Sequence, residues 1–475
     1  MQNYVLKLLL SGAFMKVDYC LKVALVAALA GILFGYDTGV MSGAILFVAE
    51  EFGLDSTMNG IVVGAVLFGA LLGAAFSGRI ADALGRKKLL ILTAIAFILG
   101  SIGTAFSPSI ATLTIGRLFI GFAIGIASYT APLYISEISP ADKRGQLVSL
   151  NQLAISLGIL ISYIVDFYAA SYFSQNEWRW MLGLGVVPAI FLLIGMIYLP
   201  DSPRWVFSKG RESEAKEILQ KIRGPNVSIE NELGEIRMTL KEDREDWRLL
   251  FSKTLRPAIY TGFGLAAIQQ ITGINTILYY APTILRLSGF ESNNAAIFAT
   301  MGIGVVFVLF TLLSLRLIDT LGRKPLLFMG LLGMSLGLSL LVFVFANPKN
   351  QIVHWLAISS MLLYIASFAV SLGPVVWLLI SEIYPLKIRG IGASLATCVN
   401  WGSNLIVTAT FLSLVDWIEV SGTFSLYLSL SLFSLFFIYY FVPETKGVTL
   451  EKIEEHLMAN KPFRELKKPV EQALS

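Results

Sequence analysis

The chain has 475 residues, 56% of them hydrophobic and only 14% charged, with a mean hydropathy of +0.73. Soluble domains carry about 25% charged residues, so a soluble enzyme or a nucleic-acid binder is excluded. The formal charge of +4 is explained by basic loops on one membrane face and calls for no polyanionic partner. Two cysteines, Cys20 and Cys398, and two histidines, His354 and His456, make neither a disulfide framework nor a metal site. No metal and no other cofactor is expected.

At the start, Val5–Phe14 is apolar but short and lacks a small-residue cleavage site. Residues 1–22 are therefore expected to form an arm, not a cleaved signal peptide. A spanning helix needs about 20 mostly apolar residues. Six such windows come first, at Val23–Val48, Met58–Ile80, Lys88–Ser107, Ile110–Ile135, Gln146–Ala169 and Trp178–Leu199. A polar interval, Asp201–Arg256, follows with 12 basic and 11 acidic residues. Within it Ile229, Leu233, Ile236 and Leu240 recur at helical spacing, and Arg211–Arg223 also reads as helix. Six further windows lie at Pro257–Ala281, Asn294–Leu315, Pro325–Ala346, Val353–Ile380, Ile391–Val415 and Ser421–Val442.

With the N-terminus inside, 32 of the 36 Lys and Arg fall on the cytoplasmic side. Arg179, Arg286 and Lys349 face out and Arg117 lies inside a span, so both termini are expected in the cytoplasm. The halves repeat each other. Asp82-Ala-Leu-Gly-Arg86-Lys87 returns as Asp319-Thr-Leu-Gly-Arg323-Lys324. Ser136-Glu137-Ile138 with Arg144-Gly145 returns as Ser381-Glu382-Ile383 with Arg389-Gly390. Pro200-Asp-Ser-Pro-Arg204 returns as Pro443-Glu-Thr-Lys446-Gly447. The offsets of 237, 245 and 243 residues define a duplicated six-plus-six architecture, a pattern of secondary transporters. The expected units are 23–200 and 257–442 as six-helix bundles, 201–256 as a helical insert, and 443–475 as a cytoplasmic tail.

Asp37 is the one charge between Val23 and Val48, and Arg117 the one charge between Ala105 and Ile135. A mid-membrane charge costs about 2.5–3.5 kcal/mol on insertion scales, so such residues usually face a cavity and act. Sequence alone leaves open whether the two meet. Gln152, Gln269, Gln270, Asn275 and Asn400 place five amides in spans. An amide both donates and accepts, which suits an uncharged polar ligand. Gln269 and Gln270 are adjacent, and unwinding near Gly273 would let both converge. Phe34, Tyr279, Tyr280, Trp377 and Trp401 offer flat partners for an apolar ligand face. Glycine pairs at four-residue spacing, Gly69/Gly73 and Gly121/Gly125, read as helix-packing sites. There is no Gly-Lys dipeptide, hence no Walker A loop, and no H-E-x-x-H zinc motif.

The paired Asp-x-x-Gly-Arg-Lys loops, the motif ending at Arg204, PETKG (Pro443–Gly447), FGYDTGVMSG (Phe34–Gly43) and QQITGINTILYYAP (Gln269–Pro282) together resemble the sugar porter family of the major facilitator superfamily. The resemblance runs from about Leu33 to Leu457. It is greatest to bacterial sugar–proton symporters of the xylose–proton symporter kind. It implies an all-α membrane fold of twelve helices in two pseudo-symmetric bundles, with no enzymatic activity. It further implies proton-coupled import of a monosaccharide by alternating access, by a functional monomer in a lipid bilayer. Asp37 would be the proton site held by Arg117. Gln152, Gln269, Gln270, Asn275, Gly373, Trp377 and Asn400 would contact sugar. Arg86, Glu137, Arg144, Arg204, Arg323, Glu382 and Arg389 would form a charge network between the halves that closes the cytoplasmic gate. One position departs from the pattern: Asn400 stands where pentose symporters carry glutamine, as in glucose carriers, which puts xylose itself in doubt. A facilitative carrier and a non-transporting sugar sensor are the alternatives. The short loop Glu50–Thr57 and the Asp37 match favour a bacterial inner membrane.

Overall fold

The computed structural model describes residues 19–140, 143–173, 175–224, 228–242, 252–347, 353–385, 388–448, 450–459 and 466. Most of the expected N-terminal arm therefore lies outside the described residues. The first half consists of α1 (Tyr19–Phe52), α2 (Ser56–Leu84), α3 (Arg86–Ala105), α4 (Ile110–Ile138), α5 (Arg144–Tyr172) and α6 (Glu177–Tyr198). Local chemistry sets several of the ends. The Asp55 carboxylate accepts the Met58 N–H at 2.7 Å at the start of α2, and Ser109 and Thr112 cap α4 reciprocally, each satisfying donors that a first helical turn leaves free. Gly85, at φ +89°, supplies the left-handed residue on which α2 turns into α3.

Three short helices follow, α7 (Pro203–Ser208), α8 (Glu212–Arg223) and α9 (Glu230–Glu242). Leu219 of α8 is buried against Ile229, Leu233 and Ile236, with Phe207 packed beside them. This is the face that the four-three spacing predicts, although the side chain of Leu240 lies outside the described residues. Arg223 ties the group to the first half, donating to the Ile138 carbonyl at 2.7 Å and pairing with Glu232.

The second half is less regular. Its first crossing is broken into α10 (Arg256–Ile271) and α11 (Ile274–Leu287) by Gly273 at φ +92°. Then come α12 (Asn293–Leu321), α13 (Arg323–Ala346), and α14 (Val353–Val370) continued by α15 (Leu372–Ile383) after a break at Ser371. The last long helix, α16 (Arg389–Phe441), contains two crossings, because Ile418 and Glu419 (φ +63°) leave helical geometry between them. A tail helix, α17 (Leu450–Met458), buries Ile453 and Leu457. Ten described helices or helix pairs are long and apolar enough to cross a membrane individually. The split first crossing of the second half and the doubled α16 bring the number of crossings to twelve.

Within the first half the helices approach closely at glycines. A Cβ on Gly121 of α4 would lie 2.0 Å from the Val66 carbonyl of α2, and one on Gly73 of α2 would lie 2.2 Å from the Phe122 carbonyl of α4. A stripe that the motif reading passes over runs along α1. Gly31, Gly35, Gly39 and Gly43 all face α5, and a Cβ on Gly35 would meet the Ile155 carbonyl at 2.0 Å. Missing side chains let the α1 and α5 backbones touch along this stripe, while Asp37, two residues from both Gly35 and Gly39, projects from another face of α1.

Candidate functional site

Asp37 of α1 and Arg117 of α4 form a buried ion pair, Nη1 to Oδ1. Arg117 has no exposed surface, and its Nε and Nη2 have no hydrogen-bond partner among the described residues. The pair therefore rests on one contact, and a guanidinium, unlike a carboxylate, keeps its charge throughout. Tyr279 of α11 reaches this pair from the other half: it is buried, with Thr38 against its hydroxyl and Asp37 within electrostatic reach.

Four of the five amides form one hydrogen-bonded cluster. Gln270 Nε2 donates to Asn400 Oδ1 at 3.0 Å, Asn400 Nδ2 to Gln269 Oε1 at 2.8 Å, and Asn275 Nδ2 to Gln270 Oε1 at 2.5 Å. Gln269 Nε2 also donates to the carbonyls of Leu372 (2.8 Å) and Gly373 (3.2 Å). The break at Gly273 makes this possible by bringing Asn275 back toward the last turn of α10. Gln152, half-buried on α5, stands outside the cluster. Phe34 of α1 and Trp401 of α16 meet across the halves with ring centroids 5.3 Å apart. Trp377 on α15 is 37% exposed, the condition of a ring available to a ligand.

The loop charges repeat their geometry as they repeat their sequence. Arg86 donates to Glu137 at 3.0 Å and to Asp82 at 3.1 Å; Arg323 donates to Glu382 at 2.9 Å. The Asp201 carboxylate accepts the backbone N–H groups of Arg86 and Lys87, and Glu444 accepts those of Arg323 and Lys324. Each is an anion at a helix N-terminus, where free donors and the helix dipole favour it. Arg204 is half-buried and in favourable electrostatic reach of Glu137. Arg144 opens α5 at the surface, and Arg389 opens α16 with its side chain outside the described residues. The ion pairs of Arg86 and of Arg323 each lie within one half.

The halves do meet at the face opposite these loops. A Cβ on Gly60 of α2 would lie 2.2 Å from the Ala409 carbonyl of α16. Tyr163 of α5 donates to the Leu278 carbonyl of α11 at 3.0 Å, and the rings of Phe167 and Phe298 lie 5.2 Å apart. The two halves are in contact across that face. One further ionisable residue is absent from the motif-based candidates. Asp166 is fully buried on α5 and accepts the Gly43 N–H at 3.2 Å. Its signal was available, since it is the one charge between Arg144 and Glu177.

Two pseudo-symmetric six-helix halves, a mid-chain polar cluster and a buried ion pair define a membrane transporter of the major facilitator fold. The chain belongs to the sugar (and other) transporter family, whose model matches residues 23–457. It is 42% identical over 449 residues to the arabinose-proton symporter of Escherichia coli (strain K12), covering 94% of each chain. It is equally 42% identical over 446 residues to the galactose-proton symporter of the same strain, covering 94% of this chain and 96% of that one. Among solved structures it is similar to the xylose transporter of E. coli in a partially occluded, inward-open conformation. The TM-score is 0.81 and the identity 32%, over 91% of this chain and 100% of that one. The chain is a sugar transporter and not an enzyme.

Proposed function

We propose that the chain imports a monosaccharide together with a proton, by alternating exposure of one site between the halves 23–200 and 257–442. The observation that carries this reading is the buried Asp37–Arg117 pair, a titratable acid on a fixed cation. Protonation of Asp37 from outside releases Arg117, and loss of the proton inward restores the pair. The amide cluster of Gln269, Gln270, Asn275 and Asn400, with Gln152, Gly373, Phe34, Tyr279, Trp377 and Trp401 around it, takes the sugar. Its amides satisfy one another when the site is empty and exchange those bonds for sugar hydroxyls when it fills.

The basic loops are assigned to the cytoplasm, with both termini inside, in a bacterial inner membrane. The positive-inside distribution and the bacterial relatives support this. With the far face closed, the conformation described faces inward. In the outward-facing state Arg86, Glu137, Arg144, Arg204, Arg323, Glu382 and Arg389 pair across the halves and shut the cytoplasmic side. Both sites lie within one chain, so a monomer suffices. One charge crossing 100 mV releases about 2.3 kcal/mol. At about 1.4 kcal/mol per tenfold ratio, one proton per sugar sustains roughly 50-fold accumulation.

Labelled-sugar uptake into proteoliposomes tests the reading, using a panel of arabinose, galactose, xylose, glucose and inositol. Wild type accumulates one or more of these under an inward proton gradient, whereas Asp37→Asn shows counterflow without accumulation. Equilibration of sugar by wild type with no response to the gradient would overturn proton coupling and leave a facilitative carrier.

A further inference from the structure

One buried acid takes no part in the mechanism above. Asp166 of α5 has no exposed surface; its Oδ2 accepts the Gly43 N–H, and its Oδ1 has no hydrogen-bond partner. A Cβ on Gly43 would lie 2.6 Å from Asp166 Oδ2, so the contact depends on the glycine. The ionisable groups near it are Tyr36 of α1 and Tyr163 of α5, whose hydroxyls are engaged by the carbonyls of Met181 and Leu278. At the outer end of α6, Arg179 is bound to Glu51 and to the carbonyls of Ala105 and Ser107. At the end of α11, Arg286 donates to the Phe290 carbonyl. Among the described residues no cation compensates Asp166.

Burying an uncompensated carboxylate in a membrane protein costs more than carrying a proton on it. Asp166 lies six residues from the outer end of α5, and its partner Gly43 lies six residues beyond Asp37 on α1. At about 1.5 Å per residue each interval is about 9 Å, which places the acid between Asp37 and the outer medium. Tyr163, one turn below, makes the bond to Leu278 that must break when the outer face opens, and this brings water to the same turn of α5.

We propose that Asp166 is a second proton-binding carboxyl of the transport cycle, holding its proton while the outer face is closed and exchanging it with outer water when that face opens. The closed state then binds more protons than the open one, so external acid favours closure and external alkali favours opening. The inference rests on the inward-facing assignment made above, yet its readouts do not require proton coupling at Asp37.

Infrared difference spectra of the full-length protein in lipid vesicles read the proton directly. Wild type and Asp37→Asn show the C=O stretch of a protonated carboxylic acid at neutral pH. Asp166→Asn lacks that band, and Asp166→Glu shifts it. Exchange is read by labelling Leu278→Cys with a membrane-impermeant maleimide, in a background without Cys20 and Cys398. Between about pH 6 and about pH 8 outside, labelling rises at least about threefold more with Asp166 present than in Asp166→Asn. The ratio cancels the intrinsic pH response of the thiol. If Asp166→Asn does not fold, Asp166→Glu carries the infrared readout through its band shift, and Asp166→Ser, which likewise lacks the acid, carries the labelling. A band missing from wild type, a band that survives Asp166→Asn, or equal pH responses would each overturn the proposal. Should wild type fail to accumulate sugar while these results hold, the coupling assigned to Asp37 falls and this one stands.

Discussion

Tyr163 of the first half donates its hydroxyl to the Leu278 carbonyl of the second, 3.0 Å away, at the face where the halves are closed on each other. Both groups are buried, and an ordinary buried hydrogen bond contributes about 1 kcal/mol net. Tyr163→Phe keeps the ring and removes the bond. It should shift the equilibrium between closed and open outer faces by about fivefold toward open. Labelling of a buried cysteine at that face from outside measures the shift, and an unchanged rate would show that the bond does not discriminate between the two states.

Asn400 exchanges bonds with both Gln270 and Gln269 and donates to the Ala266 carbonyl at 3.0 Å. Replacing it by alanine removes three hydrogen bonds, leaving Gln270 Nε2 and Gln269 Oε1 only their long 3.4 Å contact with each other, as well as removing a sugar contact. An unsatisfied buried group costs about 1–3 kcal/mol, so Asn400→Ala should raise the KM for sugar about tenfold or more. Gln152→Ala removes a group outside that cluster and should raise KM without lowering heat stability. Equal loss of heat stability in both variants would show that the amides only hold helices together.

The glycines of the first half divide by what faces them. Gly35 presents its α-carbon to the Ile155 carbonyl, a backbone atom that cannot rotate away, whereas a Cβ on Gly103 meets nothing within 4 Å. Gly35→Ala should destabilise by about 2 kcal/mol through overpacking, and Gly103→Ala should leave thermal unfolding in detergent unchanged. Gly39 is intermediate, because the atom in its way is the rotatable Ser162 Oγ. Inverted ranking of Gly35 and Gly103 would mean that the α1–α5 contact is looser than described.

Asp37 and Arg117 can be read from sequence because a lone charge in a twenty-residue apolar run is conspicuous. Asp166 obeys the same rule, yet no motif surrounds it and its partner is a backbone N–H, which leaves no trace in residue type. The convergence of Gln269 with Asn275 is legible through Gly273, whose left-handed φ breaks the helix between them. The contact of Phe34 with Trp401 is not legible. It depends on how two rigid halves close, and nothing in local periodicity encodes that. The same holds for the loop charges: their motifs give positions, but that Arg86 faces Glu137 is tertiary geometry that residue type does not encode.

That distinction bears on the pair itself. The side chains of Arg86 and Glu137 are 10% and 7% exposed, whereas those of Arg211 and Glu214 are 51% and 42% exposed. Arginine cannot shed its charge, so Glu137→Ala leaves Arg86 in a nearly buried place with only the exposed Asp82 to answer it. Breaking one partner of a buried pair costs about 3–5 kcal/mol, while an exposed pair contributes at most about 1 kcal/mol. Glu137→Ala should therefore markedly lower the thermal unfolding temperature in detergent, and Glu214→Ala should leave it within error. Adding Arg86→Met to Glu137→Ala removes the stranded charge and should recover most of the loss. If the double variant is no more stable than Glu137→Ala alone, the loss comes from packing at the end of α4 and not from the unpaired guanidinium.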